Sequence, residues 1–210
     1  MKDLRELTVA ELTEVTASDA PAPGGGSISA LAGALSAALA AMVANLSQGP
    51  KYGDVKTEMA QIAEEADRLR LRLLEAMQED TASFSLYMAA LSMPKNTEEE
   101  KAARQAAMQD GLKAAALTPL HVAESIVPVF DMVETVISRG NPNAVTDALV
   151  AAMMARSGLL GALFNVKVNL ASIRDETFAA ETGKRLRELE QAALDGEKRA
   201  FSRSVFAENL

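Results

Sequence analysis

Pro21-Ala22-Pro23-Gly24-Gly25-Gly26-Ser27, followed by an alanine-dominated run to Leu46 and Gly49, decides the fold, because no charged residue occurs between Asp19 and Lys51. A helix over 27–47 would offer water no charged face, so it is the buried helix around which the others pack. Pro23 ends whatever precedes it, the three glycines permit φ > 0, and Ser27 or Ser29 is placed to cap the new helix. The resulting loop is rich in backbone N–H donors and opens onto the positive end of a helix dipole. Two readings follow: a backbone cradle for a carboxylate, a phosphate or a flat ligand, or a hinge feeding a tightly packed helix. It is not a nucleotide motif, since no Lys follows, no strand precedes, and Gly24-x-Gly26 lacks its third glycine. About 20 apolar residues suffice to cross a bilayer. Here, however, Ala, Ser and Gly outnumber Leu, Val, Ile and Met, which suits close helix packing with Gly33, Ala37 and Ala41 on one face.

Composition narrows the function. The 210 residues, 49% hydrophobic and 24% charged, suit one soluble domain, and 4% aromatic content leaves a core of Ala, Leu, Val and Met. The absence of Cys excludes disulfides, a thiol nucleophile and thiolate metal sites, and the single His121 excludes a multi-histidine zinc site. A net charge of −8 disfavours nucleic acid and acidic membrane as partners, so an anionic substrate would need a local basic cluster. Met1 to Glu6 are charged, with no apolar run of a signal peptide, so the expected location is cytoplasmic.

Taken in order, Leu4, Leu7, Leu12 and Val15 have helical spacing, and Thr8 with Glu11 forms a capping box for a short first helix. After the 27–47 helix and the Gly49-Pro50 break, a long helix over 54–92 carries Val55, Met59, Ile62, Ala66, Leu69, Leu73, Met77, Phe84, Tyr87 and Leu91 on one seam. The rhythm of fours and threes requires one member between Met77 and Phe84, and that member is Asp80. Thr97 with Glu100 caps a helix over 98–138, kinked or restarted at Pro119 and kinked again at Pro128. Gly140-Asn141-Pro142-Asn143 is a turn, and helices over 144–173 and 176–203 follow. No strand, repeat or linker is legible. The expected fold is an all-α, up-and-down bundle of long helices, with residues 1–210 as a single domain.

Asp80 is the sharpest single feature. An ionised carboxylate is costly to bury, so the position reads either as a proton-transfer group with a raised pKa or as half of a buried salt bridge. Asp147, Asn165 and Asn169 share a face beside Gly158 and Gly161, because eighteen residues at ~100° each make five full turns. That face reads as a polar pocket or as an interhelical hydrogen-bond ladder. Asn141 and Asn143 stand where Asn is common for backbone reasons alone. His121 reads as structural or exposed.

Taken together, the glycine loop from Pro21 to Ser27, Asp80-x-x-x-Phe84, Leu91-Ser92-Met93-Pro94-Lys95 through Lys101, Gly140-Asn141-x-Asn143 with Asp147, and Asn165-Val166-x-Val168-Asn169 with Asp175 resemble the cyclodeaminase/cyclohydrolase family. That family comprises the cyclodeaminase domain of formiminotransferase-cyclodeaminase and the freestanding methenyltetrahydrofolate cyclohydrolases, and the resemblance runs from about residue 21 to 178. It implies an all-helical homodimer acting on a tetrahydrofolate derivative as substrate, with no metal and no cofactor. The family's catalytic aspartate falls on Asp80. Gly24, Gly25, Gly26, Ser27, Lys95, Asn141 and Asn143 carry over as substrate-binding positions, Asp147, Asn165 and Asn169 join them from the shared face, and Lys95, Arg104 and Lys167 are candidates for the substrate's glutamate tail. The expected reaction is hydrolysis of 5,10-methenyltetrahydrofolate to 10-formyltetrahydrofolate. With no formiminotransferase domain attached, this reading stands ahead of formiminotetrahydrofolate cyclodeaminase, and of a folate-binding helical protein without catalysis.

Overall fold

The computed structural model describes residues 3–207, and the side chains of all of these except 81–84. Among the described residues there are six α-helices and no strand: α1 Val9–Thr16, α2 Gly25–Asn45, α3 Lys56–Leu91, α4 Glu98–Arg139, α5 Val145–Leu170 and α6 Glu176–Ser202. The all-α expectation holds. Local chemistry sets several of the ends. Thr8 with Glu11 and Thr97 with Glu100 both close capping boxes, and Asp175 accepts from the Phe178 N–H at the start of α6. Pro50 and Pro142 open short 3-10 turns just before α3 and α5.

The start of α2 departs from expectation. Its N-cap is Gly24, which makes no side-chain cap bond, so neither Ser27 nor Ser29 caps the helix. The helix begins two residues earlier than expected, which carries Ser27 into its first turn and turns the hydroxyl inward, while Ser29 Oγ donates to the Gly25 carbonyl at 2.6 Å. No described glycine has positive φ either, and Gly24 is extended at φ −115°. The glycines of this loop therefore matter for the space they leave and not for left-handed backbone.

From that start α2 runs through the middle of the bundle, packed on α3 and α5 along its length and on α4 behind. Ala30, Ala37, Ala40, Val43 and Ala44 are fully buried. Small residues let the backbones of α2 and α5 nearly touch: a Cβ at Gly158 would stand 2.8 Å from the Ser29 carbonyl oxygen and 2.9 Å from the Gly33 nitrogen. Ser36 Oγ donates across the same seam to the Ala151 carbonyl at 2.7 Å. Since Ser29 meets Gly158 while Ser36 meets Ala151, the two helices are antiparallel, and the first turn of α2 lies beside the last turns of α5. Both are long and apolar enough to cross a membrane, and their packing inside the bundle accounts for that apolarity.

The α3 seam is buried at Val55, Met59, Ala66, Leu73 and Met77, as its spacing requires. Phe84, expected on the same seam, lies outside the described side chains. In α4 both Pro119 and Pro128 sit within one helix of 42 residues, so no restart occurs at Pro119. Proline at 119 still removes the N–H that the Ala115 carbonyl would receive. Asn169 of α5 supplies the replacement, donating Nδ2 to the Ala115 oxygen at 2.9 Å.

Candidate active site

Four helices bring one residue set together at the end of the bundle where α2 begins and α5 ends. A cavity of about 190 Å³ is lined by Pro21, Ala22 and Gly24 to Gly26 of the loop, Asp80 of α3, Ala115 of α4, and Asn165 and Asn169 of α5. Asp80 is the only titratable group among them. It occupies the seam position between Met77 and residue 84, where helical periodicity aims a side chain at α2.

The carboxyl group meets the first turn of α2. Ser27 Oγ donates to Asp80 Oδ2 at 2.9 Å. A Cβ built at Gly26 would lie 2.6 Å from Asp80 Cγ and 2.7 Å from Oδ2, so only glycine leaves the carboxyl group its place. Gly25 is different: a Cβ there would meet Asn165 Nδ2 at 3.5 Å, an ordinary contact. Burial pushes the Asp80 carboxyl above the usual aspartate value, and the Ser27 hydroxyl and backbone N–H pull it back. The site thus holds a desolvated carboxylate steadied by donors at a helix N-terminus.

On the opposite wall, the amides of Asn165 and Asn169 are partly committed. Asn165 Nδ2 donates to the Gly161 carbonyl, and Asn169 Nδ2 serves both the Ala115 and the Asn165 carbonyls, each at 2.9 Å. These bonds orient the two amides within the cleft. Ala115, Pro21 and Ala22 are not among the site residues expected from sequence. Ala115 had one signal, the proline four residues later that leaves its carbonyl without a helical donor.

The remaining candidates lie elsewhere in the chain. Asn141 accepts from the Asn143 N–H at 3.1 Å and donates its own N–H to Ser47 Oγ at 2.8 Å, tying the 140–143 turn to the C-terminal end of α2. With 21 residues in α2, that end is ~30 Å from the glycine loop at 1.5 Å per residue. Asp147 shares a face with Asn165 but stands ~27 Å from it along α5 by the same rise. Arg104 donates to the Leu91 carbonyl at 3.2 and 3.3 Å, capping α3, and Lys167 pairs with Glu190. Lys95 is exposed in the turn after α3, and His121 is exposed on α4.

The fold and cleft define an all-helical protein with one desolvated carboxylate facing backbone and amide groups. Residues 8–188 match the formiminotransferase-cyclodeaminase family. The chain belongs to that family. It is 42% identical over 184 residues to the methenyltetrahydrofolate cyclohydrolase of Methylorubrum extorquens, a match covering 87% of each chain. It is 35% identical over 173 residues to the formimidoyltransferase-cyclodeaminase of Rattus norvegicus, covering 82% of this chain and 32% of that one. Among solved structures it is similar to formiminotetrahydrofolate cyclodeaminase from Thermotoga maritima, with a TM-score of 0.85, 31% identity, and 95% and 96% of the two chains covered.

Proposed function

We propose that the chain is a methenyltetrahydrofolate cyclohydrolase. The observation that carries this reading is the 42% identity to a protein of that name across 87% of both chains. The cleft suits the chemistry. The bridging carbon of 5,10-methenyltetrahydrofolate is part of a cationic amidine, and a lone carboxylate in a partly desolvated cleft attracts it. As water adds to that carbon, Asp80 accepts one of its protons, giving a neutral tetrahedral adduct. The bond from carbon to N5 then breaks, Asp80 returns its proton to N5, and the adduct hydroxyl loses its proton to solvent, leaving the formyl group on N10. The sum is one water consumed and one proton released, and no cofactor enters. At about 190 Å³ the cavity is smaller than the ~300–1,000 Å³ that encloses a whole drug-sized ligand. It takes in the reacting part of the substrate and leaves the glutamate tail outside.

We further propose a homodimer built on the outer faces of α2 and α5. Leu35, Met42, Val150, Met153, Phe164 and Val168 are exposed there. The functional test is the absorbance change when purified protein meets methenyltetrahydrofolate, beside an ammonia-release assay with formiminotetrahydrofolate. Rapid loss of the methenyl chromophore is expected. Ammonia release without methenyl hydrolysis would make the chain a cyclodeaminase, and binding with neither activity would make it a folate-binding protein.

A further inference from the structure

We propose that Ser27 is a positioning residue for Asp80, fixing the carboxylate against the first turn of α2 and not touching substrate. The inference rests on the reading of Asp80 as proton acceptor and reassigns a residue that sequence placed in the binding loop. Ser27 has 0% exposure and does not line the cavity. Its hydroxyl is spent on Asp80 Oδ2 at 2.9 Å. A buried hydroxyl costs stability unless it is hydrogen-bonded, and this position belongs to a helix in which half of the buried residues are alanine, so packing alone would be served by Ala. Geometry on either side agrees. Gly24 caps the helix without a side chain, the Ser27 backbone N–H serves Asp80 as well, and Gly26 lacks the Cβ that would push the carboxyl group away.

Two consequences follow from the Ser27 hydroxyl bond. A carboxylate held by the Ser27 hydroxyl and backbone N–H is restricted in orientation, so its proton-accepting lone pairs meet the attacking water in a narrower range of directions. A hydrogen bond to the charged form also favours ionisation, opposing the burial that raises the Asp80 pKa. The loop, α4 and α5 contribute no titratable side chain to the cavity lining. Replacing Ser27 by Ala thus takes a donor from Asp80 without changing a charge.

The test compares parent, Ser27→Ala and Ser27→Cys by carboxyl carbon NMR titration of Asp80 and by the pH profile of methenyltetrahydrofolate hydrolysis. In Ser27→Ala the Asp80 titration is expected to move to higher pH, with the acid limb of kcat moving by the same amount and KM changing little. Ser27→Cys, of similar volume but a weaker donor, is expected to fall between the two. A folded Ser27→Ala protein with both the titration and the acid limb unmoved overturns the proposal, and if Ala at this position prevents folding the Cys variant carries the same comparison. A rise in KM with no change in the pH profile would instead make Ser27 a substrate contact. Should Asp80→Asn hydrolyse substrate at the parent rate, the proton-acceptor reading fails, while the NMR titration still decides whether Ser27 governs the carboxyl group.

Discussion

At Asp80 one side chain serves two opposed demands. The fold would gain from an apolar residue on this seam, and the proposed hydrolysis needs a carboxylate. Burial is the largest influence on its pKa and raises it, which fixes the sign of the linkage. A carboxyl group that binds its proton more tightly in the fold contributes stability fully present below its unfolded pKa and lost as pH rises through the folded one. Asp80→Asn keeps shape and hydrogen bonding without the charge, so its melting temperature is expected to match or exceed the parent's, with the margin wider at pH 7 than at pH 4. Turnover is expected to fall ~10²–10⁴-fold. A loss of several degrees at pH 7 with turnover intact would make Asp80 a structural ion and remove it from the mechanism. Asn169 and Pro119 form the other residue-scale pair. In Pro119→Ala the Ala115 carbonyl regains a helical N–H, so Asn169→Ala is expected to cost about 1 kcal/mol less in that background than in the parent. Denaturant unfolding of the four proteins measures the coupling, and strictly additive losses would show that the Asn169 to Ala115 bond does not replace the missing donor.

Among the elements, the first turn of α2 differs from residue to residue. Gly26→Ala places a methyl group on the Asp80 carboxyl position, whereas Gly25→Ala makes only ordinary contact with Asn165. The first is expected to lower kcat at least ten-fold, and the second to leave kcat within a few-fold and shift mainly KM. Equal effects of the two substitutions, read in steady-state kinetics, would mean that the loop acts as a hinge. The helices themselves were legible because each carries its own signals: both capping boxes, the break at Gly49-Pro50, and the turn at Asn141 all lie in local sequence. What could not be read locally was which way a first-turn serine points. A Ser after a glycine run is the sequence pattern of a cap, and only Asp80, 53 positions away in sequence, turns it inward. The same limit explains the polar face of α5. Periodicity puts Asp147 and Asn165 on one side of a helix, but it says nothing of the ~27 Å between them, so residues that share a face divide between the two ends of the bundle.

For the whole molecule, the outward faces of α2 and α5 pose the question of what covers them. Phe164 is 64% exposed and Val168 67% exposed, one turn apart on α5 and next in sequence to the cleft residues Asn165 and Asn169. Leu35 and Met42 extend the apolar surface on α2, the helix against which α5 packs. Lys167 Nζ stands over the Phe164 ring, 5.5 Å from its centroid, and is also paired with Glu190, so it covers one face of a ring that is otherwise exposed. Contiguous exposed apolar surface on a soluble protein marks an interaction site, and a two-fold axis buries the same patch twice. A charge in that patch would be desolvated without a partner. Phe164→Glu is therefore expected to convert a dimer to a monomer of unchanged helicity, read as a halved mass by light scattering at micromolar concentration. Because Phe164 adjoins the cleft wall, KM for methenyltetrahydrofolate is expected to rise in the same variant, while Leu71→Glu, an exposed apolar position on α3, changes neither mass nor KM. A parent chain that is already monomeric, or a Phe164→Glu protein that stays dimeric, would place the subunit contact elsewhere or remove it, and leave the cleft complete within one chain.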